Sequence, residues 1–490
     1  MQKKLKISKH SKQWWLDSCS RALNTYRTSR SHKNWKSFKT TVKDAKRIFF
    51  DDKIQEIANK SWGPWELMNW VKSRKLPAIE AIKHNSRPCL TSENLWNSLY
   101  SSFNTALHQQ VDLNILDEVD RKPPQKWSPF SRFEFKLAIS KCNDSSTLGP
   151  NKLTWHHLKI IIKNEDCLSI IINITDTCIN LGHWPKYFKV STTIIIPKPN
   201  KLSYDHLKAF RPIVLLNTLS KLIEKVVAKR LQFIVTSNDF IHPSQLGSLK
   251  FKSTVDASIA LTHIVWSGWA KGRSMSSLAF NISQFFPSLN HNLLILILKK
   301  AGLDHKVTNF FVNYLIQRSM KYLWNNLPSP MFDVNVGVGQ GSALSPILST
   351  LYLLPFLYIL ENRFKNLKIP TFILSFVDDG LFIIQNKSFN ISNSHLFCSY
   401  NILSKLLDSF GLIIKHSKTE IFYFSRSQGI FNPPSLDLLL LGGPILCPKD
   451  TWKYLGFIFD QKLSFHKHID HYANKAISTV KCMKLPGNSS

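Results

Sequence analysis

Apolar residues along this chain fall into runs whose spacing predicts discrete elements. In Leu215–Ile234, Leu215, Leu219, Leu222, Ile223, Val226, Val227, Leu231 and Ile234 recur at the helical period, which predicts a helix with one buried stripe. Lys221, Lys225 and Lys229 step by four on another face; they either meet phosphates or face water, and spacing alone does not choose. Trp35, Phe38, Val42 and Ile48 have near-helical spacing, with Lys36, Lys39, Lys43, Lys46 and Arg47 between them, which predicts basic amphipathic helices. Ile194–Ile196 reads as a short strand. Residues 371–384, TFILSFVDDGLFII, hold two strand-like runs, Phe372–Val377 and Leu381–Ile384, around Asp378-Asp379-Gly380. Asp-Gly between such runs predicts a hairpin whose tight turn takes its positive φ at the glycine. Asn335–Pro346, NVGVGQGSALSP, predicts a glycine turn opening a helix, with Ser345 as cap, Pro346 at the first helical position and a kink at Pro355. The prolines of DRKPPQKWSPF, from Asp120, mark a boundary, and no repeat of fixed period runs through the chain.

With 490 residues, 43% of them hydrophobic, the chain has material for more than one domain and is not a disordered polyelectrolyte. Its 64 Lys+Arg against 32 Asp+Glu leave a net charge of +32, so a polyanion, nucleic acid above all, is the first expected partner. The 8 cysteines are scattered without a C-x-x-C pair, which argues against zinc ribbons and a disulfide scaffold and for reduced thiols. His466, His468 and His471, near Cys482, read as surface histidines. No apolar stretch follows the N-terminal lysines, and the most apolar segment, Ile347–Leu360, falls short of the roughly 20 residues of a membrane span. The expectation is a soluble protein of the nucleus or cytoplasm with no membrane partner.

Three stretches carry candidate chemistry. Two adjacent carboxylates at the tip of a buried hairpin call for a compensating cation, although a solvated turn also carries Asp. Lys198, Lys201 and Arg211 crowd one connection after Ile196, as a phosphate-binding loop or any basic surface loop would. Gly337, Gly339 and Gly341 let backbone approach a ligand, but their spacing is neither a dinucleotide fingerprint nor a P-loop.

In order along the chain come the basic strand-loop, LAFNISQFF (Leu278–Phe286), GQGSALSP, FVDDG, GLIIKHSKTE (Gly411–Glu420) and WKYLGFIFD (Trp452–Asp460). Over about residues 140–465 this succession resembles the reverse transcriptases of non-LTR (LINE-type) retrotransposons, and the basic stretch before it resembles the linker that follows the endonuclease in fungal elements. STLGPNKLTWHHLK (Ser146–Lys159) resembles the family's lead-in, with Leu148 and Asn151 departing from it.

The resemblance implies an α+β right-hand polymerase palm, an antiparallel sheet flanked by helices, with fingers, an incomplete thumb and a basic helical N-terminal extension. The implied divisions are a linker region over 1–125, fingers over 126–277, a palm over 278–460 (reverse transcriptase domain 190–460) and the start of a truncated thumb over 461–490. No endonuclease, RNase H or zinc knuckle is read, so a fragment of a longer product is expected. The implied activity is RNA-directed DNA synthesis with Mg2+, or Mn2+ in its place, on template RNA, primer DNA, RNA–DNA hybrid and dNTP.

By position the implied metal ligands are Asp378, Asp379 and the backbone carbonyl of Ile282, and Asn281 stands where the family has its remaining Asp. An amide oxygen is neutral and cannot bridge two cations as a carboxylate does, so catalysis is expected to be weak; the alternative is an inactive nucleic-acid-binding relic. The resemblance further assigns Lys198 and Arg211 to the triphosphate, Phe286 to a steric gate against the ribose 2′-hydroxyl, and Gln340 and Gly341 to seating the nucleotide. Lys418 goes to the leaving pyrophosphate, and Trp452, Tyr454, Leu455 and Gly456 to the primer grip.

Overall fold

The computed structural model describes residues 14–58, 82–84, 87–199, 201, 203–238, 240–325, 327–426, 434–438 and 442–482. Parts of the expected N-terminal helical region (1–13 and 59–81) and of the expected thumb start (483–490) lie outside the described residues, as does the side chain of Cys482. The chain divides into two compact units, residues 1–76 with 466–490, and residues 77–465.

In the first unit, helices Asp17–Ser29 and His32–Ala58 pack together around buried Cys19 and Ala45. The aromatic stripe is their seam: Tyr26 meets Trp35 at 4.8 Å between centroids, and Trp15 meets Phe38 at 6.2 Å. Lys39 and Lys46 lie over the rings of Trp35 and Trp14, so part of the basic face also stacks on aromatics.

The second unit is α+β. Its principal strands are β1 (Val190–Pro197), β2 (Phe210–Leu215), β3 (Ser274–Asn281), β4 (Arg318–Trp324), β5 (Thr371–Phe376), β6 (Asp379–Asn386), β7 (Glu420–Phe424), β8 (Thr451–Tyr454) and β9 (Phe457–Asp460). The central sheet has the order β7-β3-β6-β5 and is antiparallel throughout. A mixed sheet pairs β1 antiparallel to β2 and parallel to β4.

The central sheet is covered on both faces, and its alternating residues divide between two cores. Leu278, Phe280, Phe382, Ile384, Ile421 and Tyr423 join the core of helices Ser345–Asn366 and Phe389–Ser409. Met275, Leu381, Ile383, Phe422 and Phe424 join helix Thr254–Ala270 and the β8–β9 hairpin. Burial on both sides is why these strands read as nearly continuous apolar text rather than as alternation. The result is a palm-like sheet flanked by helices.

Several local expectations give way to packing. The pairing of Phe376 with Asp379 makes Val377-Asp378 the turn, and Val377, not Gly380, takes the positive φ of 60°. A β-branched residue there is strained. Gly380 lies within β6 instead, where a Cβ would come 2.1 Å from the Phe280 ring. Gly380→Ala is therefore expected to destabilise the unit by about 1–3 kcal/mol through overpacking, measured by urea unfolding. A midpoint equal to that of the natural chain would show that Phe280 can yield.

Leu215 ends β2, and the helix runs over Thr218–Ser237 instead. The lysine row on it is half-buried: Lys225 donates to Cys142 Sγ at 3.1 Å and lies over Trp155, and Lys229 Nζ is buried without a hydrogen-bond partner among the described residues. This helix packs on Arg132–Ser140, Trp155–Lys163 and Ser345–Asn366. Ser345 donates to the Gly339 carbonyl rather than capping, and the helix continues through Pro355. The strand expected over Ile194–Ile196 extends across Val190–Pro197.

Candidate active site

β3 and β6 run side by side with Asn281 directly opposite Asp379, and the turn adds Asp378. Asn281 is buried, and its Nδ2 donates to Asp378 Oδ2 at 2.8 Å and to Asp379 Oδ1 at 2.7 Å. Both amide hydrogens are thus committed, one to each carboxylate. Backbone bonds hold the triad in register: the Ile282 N–H donates to the Asp378 carbonyl at 2.8 Å, and the Lys415 N–H to the Asn281 carbonyl at 2.8 Å. Burial raises the Asp379 carboxyl above its ordinary range, the Asp378 charge adds to this, and the Asn281 bond and Lys418 oppose it.

Cations crowd the same place. Lys198 follows β1, donates its N–H to the Ala209 carbonyl at 2.8 Å and its Nζ to the Lys208 carbonyl at 2.7 Å, and accepts from the Tyr204 hydroxyl at 2.6 Å. The basic connection is therefore strapped down. Burial lowers Lys198 to about 8, helped by the charges of Lys415, Arg211, Lys201 and Lys418. Lys415 is lowered by burial and by Lys418, Lys201 and Lys208, with Asp378 opposing. Sequence reasoning missed Lys415 and Lys208; the one signal for Lys415 was its place in GLIIKHSKTE beside Lys418.

If Lys198 meets a polyphosphate, only its protonated form attracts the anion, and the free chain loses that proton in a window centred near pH 8. Affinity for tripolyphosphate is expected to fall as pH rises through that window, and Lys198→Arg to flatten the fall. A titration at several pH values reads this, and an equally steep fall in the Arg variant would clear Lys198 of the role.

Phe286 is bonded to the glycine loop that carries Gln340 and Gly341, and that loop to β2. Phe286 sits on the short helix Phe285–Ser288, and its carbonyl accepts the Val338 N–H at 2.8 Å. The Gln340 carbonyl accepts the Val214 N–H at 2.8 Å. Gly341 has φ 126°, and a Cβ there would lie 2.7 Å from the Val214 carbonyl oxygen, so a glycine is needed.

Beneath this loop lies Glu224, which sequence reasoning also missed. It is 1% exposed, with Oε2 accepting from Ser342 Oγ at 2.6 Å and from the Ala343 N–H at 3.1 Å, and Oε1 accepting from the Tyr314 hydroxyl at 2.9 Å.

The β8–β9 hairpin closes through Leu455-Gly456, with φ of 47° and 93°. Trp452 stacks on Tyr454 at 4.9 Å and on Phe422 of β7 at 5.9 Å. The Tyr454 hydroxyl is buried without a hydrogen-bond partner among the described residues; burial, then the Asp379 charge, holds it above the ordinary tyrosine range.

Two carboxylates supply hard oxygen to a divalent cation, whereas the Asn281 amide turns N–H groups on those same oxygens. The donor set fits one cation, not a pair bridged by three carboxylates. Among the described residues no group of three or more His, Cys, Asp or Glu side chains is placed to hold a metal. Among them, too, no helix is long and apolar enough to cross a membrane.

A family model described as reverse transcriptase (RNA-dependent DNA polymerase) matches residues 196–459, more than half of the chain. The sequence is 25% identical over 454 residues to a probable RNA-directed DNA polymerase from transposon BS of Drosophila melanogaster, covering 89% of this chain and 48% of that protein. It is 22% identical to the RNA-directed DNA polymerase from mobile element jockey of the same fly, covering 87% and 46%. It is 23% identical to a retrovirus-related Pol polyprotein from type-1 retrotransposable element R2 of Popillia japonica, covering 57% and 38%. The chain thus spans less than half the length of each of these relatives.

Proposed function

The chain belongs to the reverse transcriptase (RNA-dependent DNA polymerase) family, among relatives of the non-LTR retrotransposon type, and from that premise we propose that it is an RNA-directed DNA polymerase whose chemical step is impaired at Asn281. The observation that carries this reading is the register of Asn281 against Asp379, with its amide on both carboxylates.

In this reading Asp378 and Asp379 hold Mg2+, or Mn2+ in its place, together with the Ile282 carbonyl. Bound there, such a cation acidifies the primer 3′-hydroxyl and offsets triphosphate charge. Lys198, Arg211, Lys415 and Lys418 receive the triphosphate of the incoming dNTP. Phe286 gates the sugar, Gln340 and Gly341 seat the base pair, and Trp452–Gly456 holds the primer end. The proposed divisions are fingers over 126–277, palm over 278–460 and the start of a thumb beyond. The fungal-element-like character is part of the proposal and is supported by the basic stretch ahead of the fingers.

The second reading, a nucleic-acid-binding relic without chemistry, is favoured by the same Asn281. Single-nucleotide addition to a DNA primer on an RNA template separates the two. Extension in Mg2+ or Mn2+ supports the polymerase; binding with no extension in either supports the relic.

Both readings require salt-sensitive binding, from the net charge of +32. The log–log salt slope for RNA–DNA hybrid is expected to be about −0.7 to −0.9 per phosphate neutralised. Filter binding across a salt series measures it, and a flat series would remove nucleic acid as the partner.

A further inference from the structure

We propose that the nucleotide site of this chain takes a free triphosphate without a divalent cation. The inference rests on the reading of that site as a nucleotide site and adds the state in which the ligand enters it.

Adjacent carboxylates facing a polyanion ordinarily need a cation between them and the ligand, because two like charges and a third approaching one repel at short range. Here the chain supplies the compensation itself. The Asn281 amide donates one hydrogen bond to each carboxylate, at 2.8 and 2.7 Å, so an oxygen of each is occupied by a neutral donor rather than left for a metal. With Asp at this position the same three side chains would all be acceptors, and the site would need a cation to hold them together.

Lys415 adds a fixed positive charge. Its backbone N–H is fixed to the Asn281 carbonyl at 2.8 Å, and its ammonium feels both Asp378 and the cluster of Lys201, Lys208 and Lys418. Lys415 therefore couples the carboxylates electrostatically to the neighbouring cations, a fixed charge of the sign a bridging cation would bring. Lys198, Lys201, Lys208, Arg211, Lys415 and Lys418 outnumber the two carboxylates, and burial of Lys198 and Lys415 leaves their charge poorly hydrated and in want of an anion. A triphosphate answers that want directly. It is multidentate and compact, and the connection that receives it is already strapped by the Lys198–Ala209 and Lys198–Lys208 bonds.

The test is equilibrium dialysis of dTTP and of inorganic tripolyphosphate against the full chain at pH 7, once in EDTA and once in Mg2+. The expected result is a Kd in EDTA within about threefold of that in Mg2+, a difference under ~1 kcal/mol. Asn281→Asp is expected to weaken binding in EDTA by about tenfold or more and to recover it in Mg2+, since the added carboxylate restores the demand for a cation. Lys415→Gln, a change that leaves the backbone bond in place, should weaken binding in EDTA and much less in Mg2+, and it keeps the proposal testable if the Asp variant does not fold. Loss of tenfold or more by the natural chain in EDTA overturns the proposal while leaving the site a nucleotide site. Binding in neither condition overturns the reading of the site as well. Binding in EDTA that survives Lys198→Ala combined with Arg211→Ala belongs to the general basic surface and also overturns it.

Discussion

Asn281→Asp is expected to raise single-nucleotide addition on an RNA template by two to three decades, about 3–4 kcal/mol at the transition state, while changing template affinity little. The two quantities separate because they draw on different charges. Template binding sums many Lys and Arg over a chain of net charge +32, and one residue of a buried triad hardly alters that sum. The chemical step of the proposed polymerase would draw on the few oxygens that meet at Asn281, Asp378 and Asp379. An Asp there exchanges two donated hydrogen bonds for a third carboxylate, which a divalent cation can use and an empty site cannot tolerate. The variant should therefore melt below the natural chain in EDTA and recover in Mg2+, a readout independent of activity. Equal rates of addition by the two proteins under saturating template and Mg2+ would show that residue 281 does not bear on the chemistry.

The parts of this architecture legible in the sequence were those with short-range causes. The hairpin around Asp378-Asp379 was readable because strand text flanks a turn-forming pair. Which residue bears the strained φ was not, because the answer lies with Phe280, a residue about a hundred positions away whose ring lies against Gly380. The helix after β2 was readable from its period, yet the same period could not say what its lysine face meets. Cys142 and Trp155 cover part of it, and they come from segments some eighty residues earlier. Asn281 stood out because its neighbours on both sides match a motif. Lys415 did not, because its place near Lys418 is the one local sign of it, and the backbone bond that ties it to residue 281 is long-range. Glu224 was invisible for the opposite reason. Set within an apolar stripe it reads as one polar interruption, and its partners Tyr314, Ser342 and Ala343 lie about 90 to 120 residues on.

Glu224→Ala is the substitution expected to cost most in stability, about 3–5 kcal/mol by urea unfolding. The side chain is buried, so truncation leaves a cavity and removes the acceptor of the Ser342 hydroxyl, the Ala343 N–H and the Tyr314 hydroxyl; one hydroxyl can turn to the other at 3.3 Å, but the rest lose theirs. Glu224→Gln should cost far less, under about 1.5 kcal/mol, because its carbonyl oxygen can keep Ser342 and Ala343 while its amide donates to the Tyr314 oxygen. The two variants also differ in pH response. Burial raises the Glu224 carboxyl above its ordinary value, against the lowering effect of Ser342, Arg318, Tyr314 and Ala343. Its contribution is therefore fully present below the ordinary glutamate value and is lost as pH rises through the folded value. Glu224→Gln, having no proton to lose, should remove that slope. Because Ser342 and Ala343 adjoin Gly341, the Ala variant should also weaken nucleotide binding at temperatures where it remains folded, and the Gln variant should not. An Ala variant that unfolds at the natural midpoint and binds dTTP normally would show that the loop of Gln340 and Gly341 is held by the Val214 bond and the glycine contact alone.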